Sequence, residues 1–153
     1  MSTEKWVAGA QASYADAFST ATLNSIASGN AILSDLEIDN STNLDMFMDV
    51  SVALASLAVA APAYLGIYLY PKNKDNSTYG DGRFGSSAAG PPGGTYFVGA
   101  IPFPTGTAAN EGTARGIVLP PGKFKLVIHN QCGVALASSG NTCQYKTYNR
   151  SVA

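Results

Sequence analysis

The chain has 153 residues and a formal net charge of −1, and only 12% of its residues are charged. This length suits one domain with a core of its own, and the near-neutral charge gives no reason to expect a nucleic-acid partner. Few charges together with 16 glycines are typical of β-sandwiches and of proteins that bury much of their surface in an assembly.

The sequence contains no segment that indicates a secretion signal or a membrane anchor. Met1 to Trp6 lack a basic stretch followed by an apolar core, so we expect synthesis in the cytoplasm without a signal peptide. The longest apolar run, Val52 to Ala61, covers about ten residues, whereas a membrane helix needs about 20. We therefore predict no membrane partner.

Residues 1–20 combine small and polar residues with three aromatic side chains and follow neither the helical nor the strand period. We therefore predict an extended N-terminal arm over residues 1–20, followed by a β-sandwich domain over residues 21–153. A tryptophan on such an arm gains most by lying against a partner. The interface candidates in the arm are Trp6, Tyr14 and Phe18.

Three strands are predicted in the first half of the domain. Ile32, Leu36 and Ile38 alternate with acids and share one predicted face, as in a half-buried strand. The clearest strand has six apolar residues in alternation, which are Leu44, Met46, Met48, Val50, Val52 and Leu54. Residues 64–70 form the third strand, rich in the aromatic residues that sheets favour.

Residues 72–95 form the longest irregular stretch, and a loop of this length in a compact domain is usually an interaction surface. We expect a neighbouring chain to order it, with Tyr79, Arg83 and Phe84 as interface candidates. Gly80 to Gly85 match the letters G-x-G-x-x-G, but no helix follows to hold a pyrophosphate, so we expect no nucleotide cofactor. The stretch also lacks the regular acidic spacing of a calcium loop, so we expect no metal.

The C-terminal third, from Thr113 to Tyr148, predicts three strands joined as an antiparallel meander. Leu119-Pro-Pro-Gly122 is its first corner, because the prolines cannot extend a hydrogen-bond ladder and the glycine accepts a turn conformation. The second strand is predicted to direct Phe124, Leu126 and Ile128 to the core. The alternate residues Lys123, Lys125 and His129 are predicted to face solvent. The predicted core of the whole domain includes Ile38, Met48, Val50, Leu126 and Ile128.

Cys132 and Cys143 are the only cysteines, and they flank the predicted connection between the last two strands. If these strands form a hairpin, the two sulfurs approach bridging distance. Three states stay open, namely an intramolecular disulfide, two free thiols and bonds between subunits. A cytosolic origin favours thiols, whereas a particle released into an oxidising medium could acquire bonds.

No residue pattern in the chain indicates catalysis. His129 is the only histidine, it lies on a predicted solvent face, and no cysteine or carboxylate stands at ligand spacing from it. No serine lies in a G-x-S-x-G turn, and Asp45 and Asp49 lie on a polar face with no sign of burial. We therefore expect a protein that is not an enzyme and uses no cofactor.

About seven or eight strands, turn signals between them and no helical pattern predict an all-β, antiparallel two-sheet sandwich of jelly-roll type. Five short segments together carry a resemblance to a known class of proteins, and these are Ile38–Asp45, Gly66–Pro71, Tyr79–Gly85, Gly116–Gly122 and Tyr145–Arg150. Together they resemble small virion proteins of tailed bacteriophages, of the head decoration or cement class, and the likeness extends over residues 22–151.

The resemblance implies a jelly-roll subunit on the capsid exterior of the virion. Such a subunit binds the major capsid protein lattice, often as a homo-dimer or homo-trimer, and braces the head against the pressure of its DNA. The family is structural, so the resemblance carries over no catalytic, cofactor or metal residues.

Two other functions stay open on the sequence alone. Phage tail, baseplate and receptor-binding proteins use similar sandwiches but are present in few copies per particle. A carbohydrate-binding module would hold sugar on exposed aromatic side chains, for which the candidates are Tyr68, Tyr70 and Tyr96.

Overall fold

The computed structural model describes residues 3–19, 21–59, 63–82 and 90–152. Within these ranges the chain forms ten β-strands and one short 3-10 turn at Gly94–Tyr96, and no helix is long and apolar enough to span a membrane. The strands are β1 (Glu4–Ala8), β2 (Ala15–Asp16), β3 (Ala31–Leu33), β4 (Ile38–Asn40), β5 (Phe47–Leu54), β6 (Ala63–Pro71), β7 (Phe97–Phe103), β8 (Asn110–Val118), β9 (Gly122–Gln131) and β10 (Thr142–Val152).

The strands form two five-stranded antiparallel sheets. Sheet A has the order β1–β10–β5–β8, with β2 on the same edge of β10 as β1, and sheet B has the order β3–β9–β6–β7, with β4 on the same edge of β9 as β3. The pairing is nested, because the first strands pair with the last and each successive pair inward lies in the opposite sheet. This is the wrapping of a jelly roll, so the predicted all-β two-sheet sandwich is confirmed.

The core lies between the two sheets and is built from the inward-facing alternate residues of each strand. In β5 these residues run from Met48 to Leu54, in β9 they run from Phe124 to Ile128, and none is more than 3% exposed. The core prediction is confirmed for all five residues, which are Ile38, Met48, Val50, Leu126 and Ile128.

The inward face of β5 begins later than its apolar pattern. Leu44 and Met46 were predicted to face the core, but they are 57% and 45% exposed. The reason is that β5 starts only at Phe47 and that Leu44 has a left-handed backbone, with φ at 51°. The apolar alternation in the sequence therefore begins before the strand itself begins.

The strand predicted over residues 32–38 is interrupted, and the inward assignment of Leu36 is wrong because its side chain is exposed. The Ser34 hydroxyl donates to the Leu36 carbonyl at 2.8 Å and accepts the Leu126 amide at 3.1 Å. These bonds replace the regular ladder with β9, so β3 and β4 are separate short strands.

The three C-terminal strands are present, but they do not form a meander. β8 and β10 lie in sheet A while β9 lies in sheet B, so the corner at residues 119–122 and the connection at residues 132–141 both cross between the sheets. β8 and β10 each pair with β5, and β9 pairs with β6. Alternation identifies the buried face of a strand but not its partner, which explains the wrong pairing.

The two cysteines do not flank a hairpin, and both are free and buried. Cys143 lies in sheet A opposite Val52, whereas Cys132 follows β9 of sheet B and directs its Sγ to the Tyr64 carbonyl at 3.8 Å. Burial raises the pKa of Cys132 to about 11 and also raises that of Cys143. The disulfide hypothesis is therefore not supported, and the thiols are parts of the core.

The segment predicted as an N-terminal arm is extended, and it contributes β1 and β2 to sheet A. The Ala17 amide donates to the Cys143 carbonyl at 2.9 Å, and the next residue, Phe18, is only 3% exposed. Phe18 is thus a core residue, and its assignment to an interface is wrong. Periodicity missed β1 because none of its side chains is fully buried and only Val7 is partly so.

Residues 72–82 are held by the chain's own contacts, so the expectation that a neighbour orders them is wrong. Lys72 and Tyr79 form an antiparallel bridge, and the Asp75 carboxylate accepts the amides of residues 77 and 78, each at 3.0 Å. Arg83 and Phe84, the other candidates in this loop, lie outside the described residues.

Glu37 connects this loop to sheet B. The Tyr79 hydroxyl donates to its carboxylate, and the ammonium groups of Lys72 and Lys123 lie 2.9 and 3.2 Å away. These contacts, with the tyrosine hydrogen bond foremost, lower the pKa of Glu37 to about 2. Tyr79 therefore has a structural role within its own domain.

We predict that Leu126→Ala destabilises the fold by about 2–5 kcal/mol, because it leaves a cavity at a fully buried position. Urea unfolding followed by circular dichroism measures the difference. Leu44→Ala is the matched control and should change the free energy of unfolding by less than about 0.5 kcal/mol, since its side chain is largely exposed. Equal losses in the two variants would contradict the burial of Leu126 and the exposure of Leu44.

We predict that the stability gap between the wild-type chain and Glu37→Gln narrows as the pH falls from 4.5 to 2. A carboxylate with a lowered folded-state pKa stabilises the fold above its unfolded value of 4.5, and this contribution is lost as the pH falls through about 2. Urea unfolding at stepped pH values measures the gap. Glu111→Gln is the control, because Glu111 is exposed on sheet A and forms no ion pair with another described residue, although it accepts the Ser51 hydroxyl at 3.2 Å. A stability gap at Glu37 that is independent of pH would refute the role of Glu37.

Candidate interaction surface

Exposed apolar side chains concentrate at one end of sheet A, where β1 and β5 begin and β8 and β10 end. Among the described residues, this end holds five of the nine exposed large apolar side chains, which are Trp6, Leu44, Met46, Val118 and Val152. Clustered apolar exposure of this kind is typical of contact sites.

Three aromatic rings form the centre of this end. The Trp6 ring lies edge-on to Phe47 and Tyr148, with centroid distances of 5.5 and 5.3 Å, and Phe47 stacks on Tyr148 at 5.6 Å. In the register of sheet A, Phe47 lies opposite both Tyr148 and Val118. We call the surface formed by Trp6, Phe47, Val118 and Tyr148 the sheet A patch.

A buried carboxylate, Asp45, holds the N-terminal segment that carries the tryptophan. Its Oδ2 accepts the Ala10 amide at 2.8 Å and the Thr147 hydroxyl, and its Oδ1 accepts the Asn149 side-chain amide at 2.8 Å. Burial alone would raise the pKa of Asp45, but these hydrogen bonds outweigh it and lower the pKa. The chain passes so closely that a Cβ on Gly9 would lie 2.7 Å from the carboxylate, which explains a glycine there.

A cleft of about 430 Å³ opens beside the tryptophan on the same face of sheet A. Trp6 and Tyr148 form its aromatic wall, and Arg115, Lys146 and Asp49 supply its charged groups. The volume falls within the range of about 300–1,000 Å³ that is typical of ligand sites. The cleft and the patch share two residues, so they form one continuous surface.

The carboxylate of Asp49 forms the floor of the cleft, and each of its oxygens has a partner from the chain itself. Its Oδ1 accepts the Tyr148 hydroxyl at 3.0 Å and the Gly116 amide at 3.1 Å, and the Lys146 ammonium lies 3.7 Å from Oδ2. Burial, followed by the bond to Asp49, raises the pKa of Tyr148. Asp45 and Asp49 were expected on a solvated face, but they are 4% and 6% exposed, so that expectation is wrong.

A β-bulge in β8 positions the arginine of the cleft. Val50 pairs with Ala114 and Met48 pairs with Ile117, so Arg115 and Gly116 together lie opposite the single residue Asp49. Such bulges turn a side chain away from its regular direction. Gly116 has φ at 70°, a left-handed conformation that a glycine adopts without strain.

Positive charge exceeds negative charge around the cleft and the adjoining groove on the other side of Trp6. Four bases and two acids line these two depressions, and they are Lys5, Arg115, Lys146 and Arg150 against Glu4 and Asp49. Each acid pairs with a base, Glu4 with Arg150 and Asp49 with Lys146. The surplus of two positive charges contrasts with the net charge of −1 for the whole chain.

The structure brings two of the predicted interface residues to this face. Trp6 is 64% exposed, and Tyr14 is 40% exposed with its ring 5.1 Å from the Lys146 ammonium. Sequence reasoning missed Phe47, Arg115 and Tyr148. Phe47 and Tyr148 could have been found as aromatic residues at positions of alternating strands that are expected to be polar and to face solvent.

The outer face of sheet B holds His129, which is only 7% exposed, so its predicted position in solvent is wrong. Its Nε2 lies 3.2 Å from the Gly29 carbonyl, and its ring centroid lies 6.3 Å from that of Tyr68. Burial lowers the pKa of His129.

The tyrosines considered for carbohydrate binding are also covered on this face. Tyr70 is fully buried with its ring centroid 4.6 Å from that of Tyr96, and Tyr68 is half-buried beside Phe97 at 5.3 Å. A Cβ on Gly80 would lie 2.1 Å from the Tyr70 ring, so the loop packs directly on this cluster. Tyr70 is therefore not available to hold a sugar, whereas Tyr68 and Tyr96 keep part of their surface exposed.

We predict that Trp6, the only tryptophan, fluoresces as a solvent-exposed indole in the isolated chain. Acrylamide should quench it almost as well as it quenches a free tryptophan amide, and quenching should fall once a partner covers the patch. A Phe97→Trp variant in a Trp6→Phe background is the matched control, because it places the single tryptophan on sheet B. Acrylamide should still quench this tryptophan after the partner binds. Weak quenching of Trp6 in the isolated monomer would contradict its placement on the sheet A patch.

The described residues contain no group of three or more His, Cys, Asp or Glu side chains able to hold a metal ion. Neither a family model nor a curated protein nor a solved structure matches the chain. Its function is therefore inferred from its own residues and their geometry.

Proposed function

We propose that the chain is a structural binding subunit of a tailed-bacteriophage virion, of the head decoration or cement class that its sequence resembles. It attaches to the lattice of the major capsid protein through the sheet A patch and braces the head from outside. The observation that carries this proposal is the concentration of exposed apolar side chains at one end of sheet A, centred on Trp6 at 64% exposure.

The composition of the patch supports a protein partner. Tryptophan, tyrosine, phenylalanine and arginine are the residues that interface centres favour, and the patch with its cleft contains one or more of each. The three rings already pack on one another, so little side-chain entropy is lost when a partner covers them. A rigid apolar surface on a sandwich is suited to docking on a lattice.

Binding also fits the polar groups of the face better than catalysis does. Both Asp45 and Asp49 already accept hydrogen bonds from their own chain, so neither is placed to take a proton from a substrate. His129 is buried in the other sheet, against Tyr68. Asp45, Asp49 and His129 thus act as supports of the fold.

A second candidate function is carbohydrate binding, for which the specific observation is the cleft of about 430 Å³ beside the exposed Trp6. Aromatic side chains with a few polar groups are the common lining of small-molecule sites, and a sugar is one such ligand. A receptor-binding or tail protein would use such a cleft on a cell surface, in few copies per particle.

The experiment that tests the proposal is binding of the purified chain to shells assembled from the major capsid protein of the same genome. Co-sedimentation should show saturable binding, and quantitative mass spectrometry of virions should show copies in a fixed ratio to the capsid protein. Trp6→Ala should lower occupancy, whereas Phe97→Ala, which removes an exposed aromatic side chain from sheet B, should not. Absence of binding to shells, or a few copies confined to tails, would refute the decoration role.

A further inference from the structure

We infer that the cleft beside Trp6 receives a carboxylate side chain of the protein partner, held between Arg115 and Lys146. This inference rests on the proposed function and adds the chemistry of the contact. It predicts that the surface docking on the sheet A patch carries an acidic residue flanked by apolar ones.

The hydrogen-bond acceptors of the cleft have partners within the chain, whereas one of its charged donors has none. The acceptor groups at its floor are occupied, because both oxygens of Asp49 have partners within the chain. The Arg115 guanidinium, in contrast, forms no hydrogen bond or ion pair with another described residue, although the bulge of β8 brings it to the cleft. A group that enters the cleft therefore meets the free guanidinium of Arg115 beside the Lys146 ammonium, which already pairs with Asp49, and it must itself supply acceptors.

A carboxylate matches these donors best. Its two oxygens accept the parallel N–H groups of a guanidinium, and a nearby ammonium adds a second charged contact. The local surplus of two positive charges, from four bases against two acids, attracts an acidic group before contact. Once a partner covers the aromatic wall formed by Trp6 and Tyr148, the loss of water from the cleft strengthens the attraction.

The width of the apolar surface favours a protein segment over a sugar. Ala8, Tyr148, Phe47 and Val118 lie in register across four adjacent strands. Three inter-strand spacings of about 4.8 Å give a row of about 14 Å that continues beyond the cleft. An acidic side chain flanked by apolar residues covers both the cleft and this row, whereas a single sugar ring covers the cleft alone.

The first test compares the affinity for capsid shells of the wild-type chain with that of Arg115→Gln and Lys146→Gln. Loss of one charged contact should weaken binding by about tenfold and reduce its dependence on salt. Lys74→Gln is the matched control, because it removes one positive charge at an exposed residue on the loop beside sheet B. If Trp6→Ala reduces binding but Arg115→Gln binds as the wild type does, the inference fails while the proposed function stands. If the wild-type chain does not bind shells, both fail.

The second test separates a protein carboxylate from an acidic sugar on the isolated chain. Nuclear magnetic resonance titration with a short peptide containing glutamate should shift the indole signal of Trp6 and the guanidinium signal of Arg115. The same peptide with glutamine should not, and Arg115→Gln should abolish the response. A stronger response to glucuronic acid than to the peptide would assign the cleft to acidic glycans and overturn the inference.

Discussion

The hydrogen bonds of one buried carboxylate determine where the exposed face of this protein lies. Asp45 is 4% exposed and accepts the amide of Ala10 from one side and the side chains of Thr147 and Asn149 from the other. These bonds fix β1 along β10, since β1 is a five-residue edge strand with little apolar burial of its own. Together with the ladder between β1 and β10, they place the tryptophan of β1 beside the rings of β5 and β10.

A second buried carboxylate shapes the neighbouring cleft by the same physical means. Asp49 binds the amide of Gly116 in the bulge and the hydroxyl of Tyr148, so it joins β8 and β10 across β5. Carboxylates that accept several hydrogen bonds are stable when buried, whereas unpaired ones are not. The polar groups of sheet A thus position its exposed aromatic and cationic groups.

The alternation of apolar residues was sufficient to predict the fold class and the buried face of the long strands, as Met48 and Leu126 show. It could not predict where strands begin, because Leu44 fits the apolar pattern although its backbone is left-handed and lies outside β5. Nor could it predict partners, since the ladder bonds of β1 with β10 leave no periodic trace in the sequence. For the site, Trp6 was found as a lone aromatic residue, but Arg115 was not, because only the bulge brings it to the cleft.

The most direct measurement is a structure of the decorated particle by electron cryo-microscopy at side-chain resolution. We predict that the sheet A patch lies against the major capsid protein with Trp6 buried, and that the outer face of sheet B, marked by Phe97, points away from this contact. A particle in which Phe97 is buried in the contact while Trp6 stays in solvent would contradict the proposed attachment.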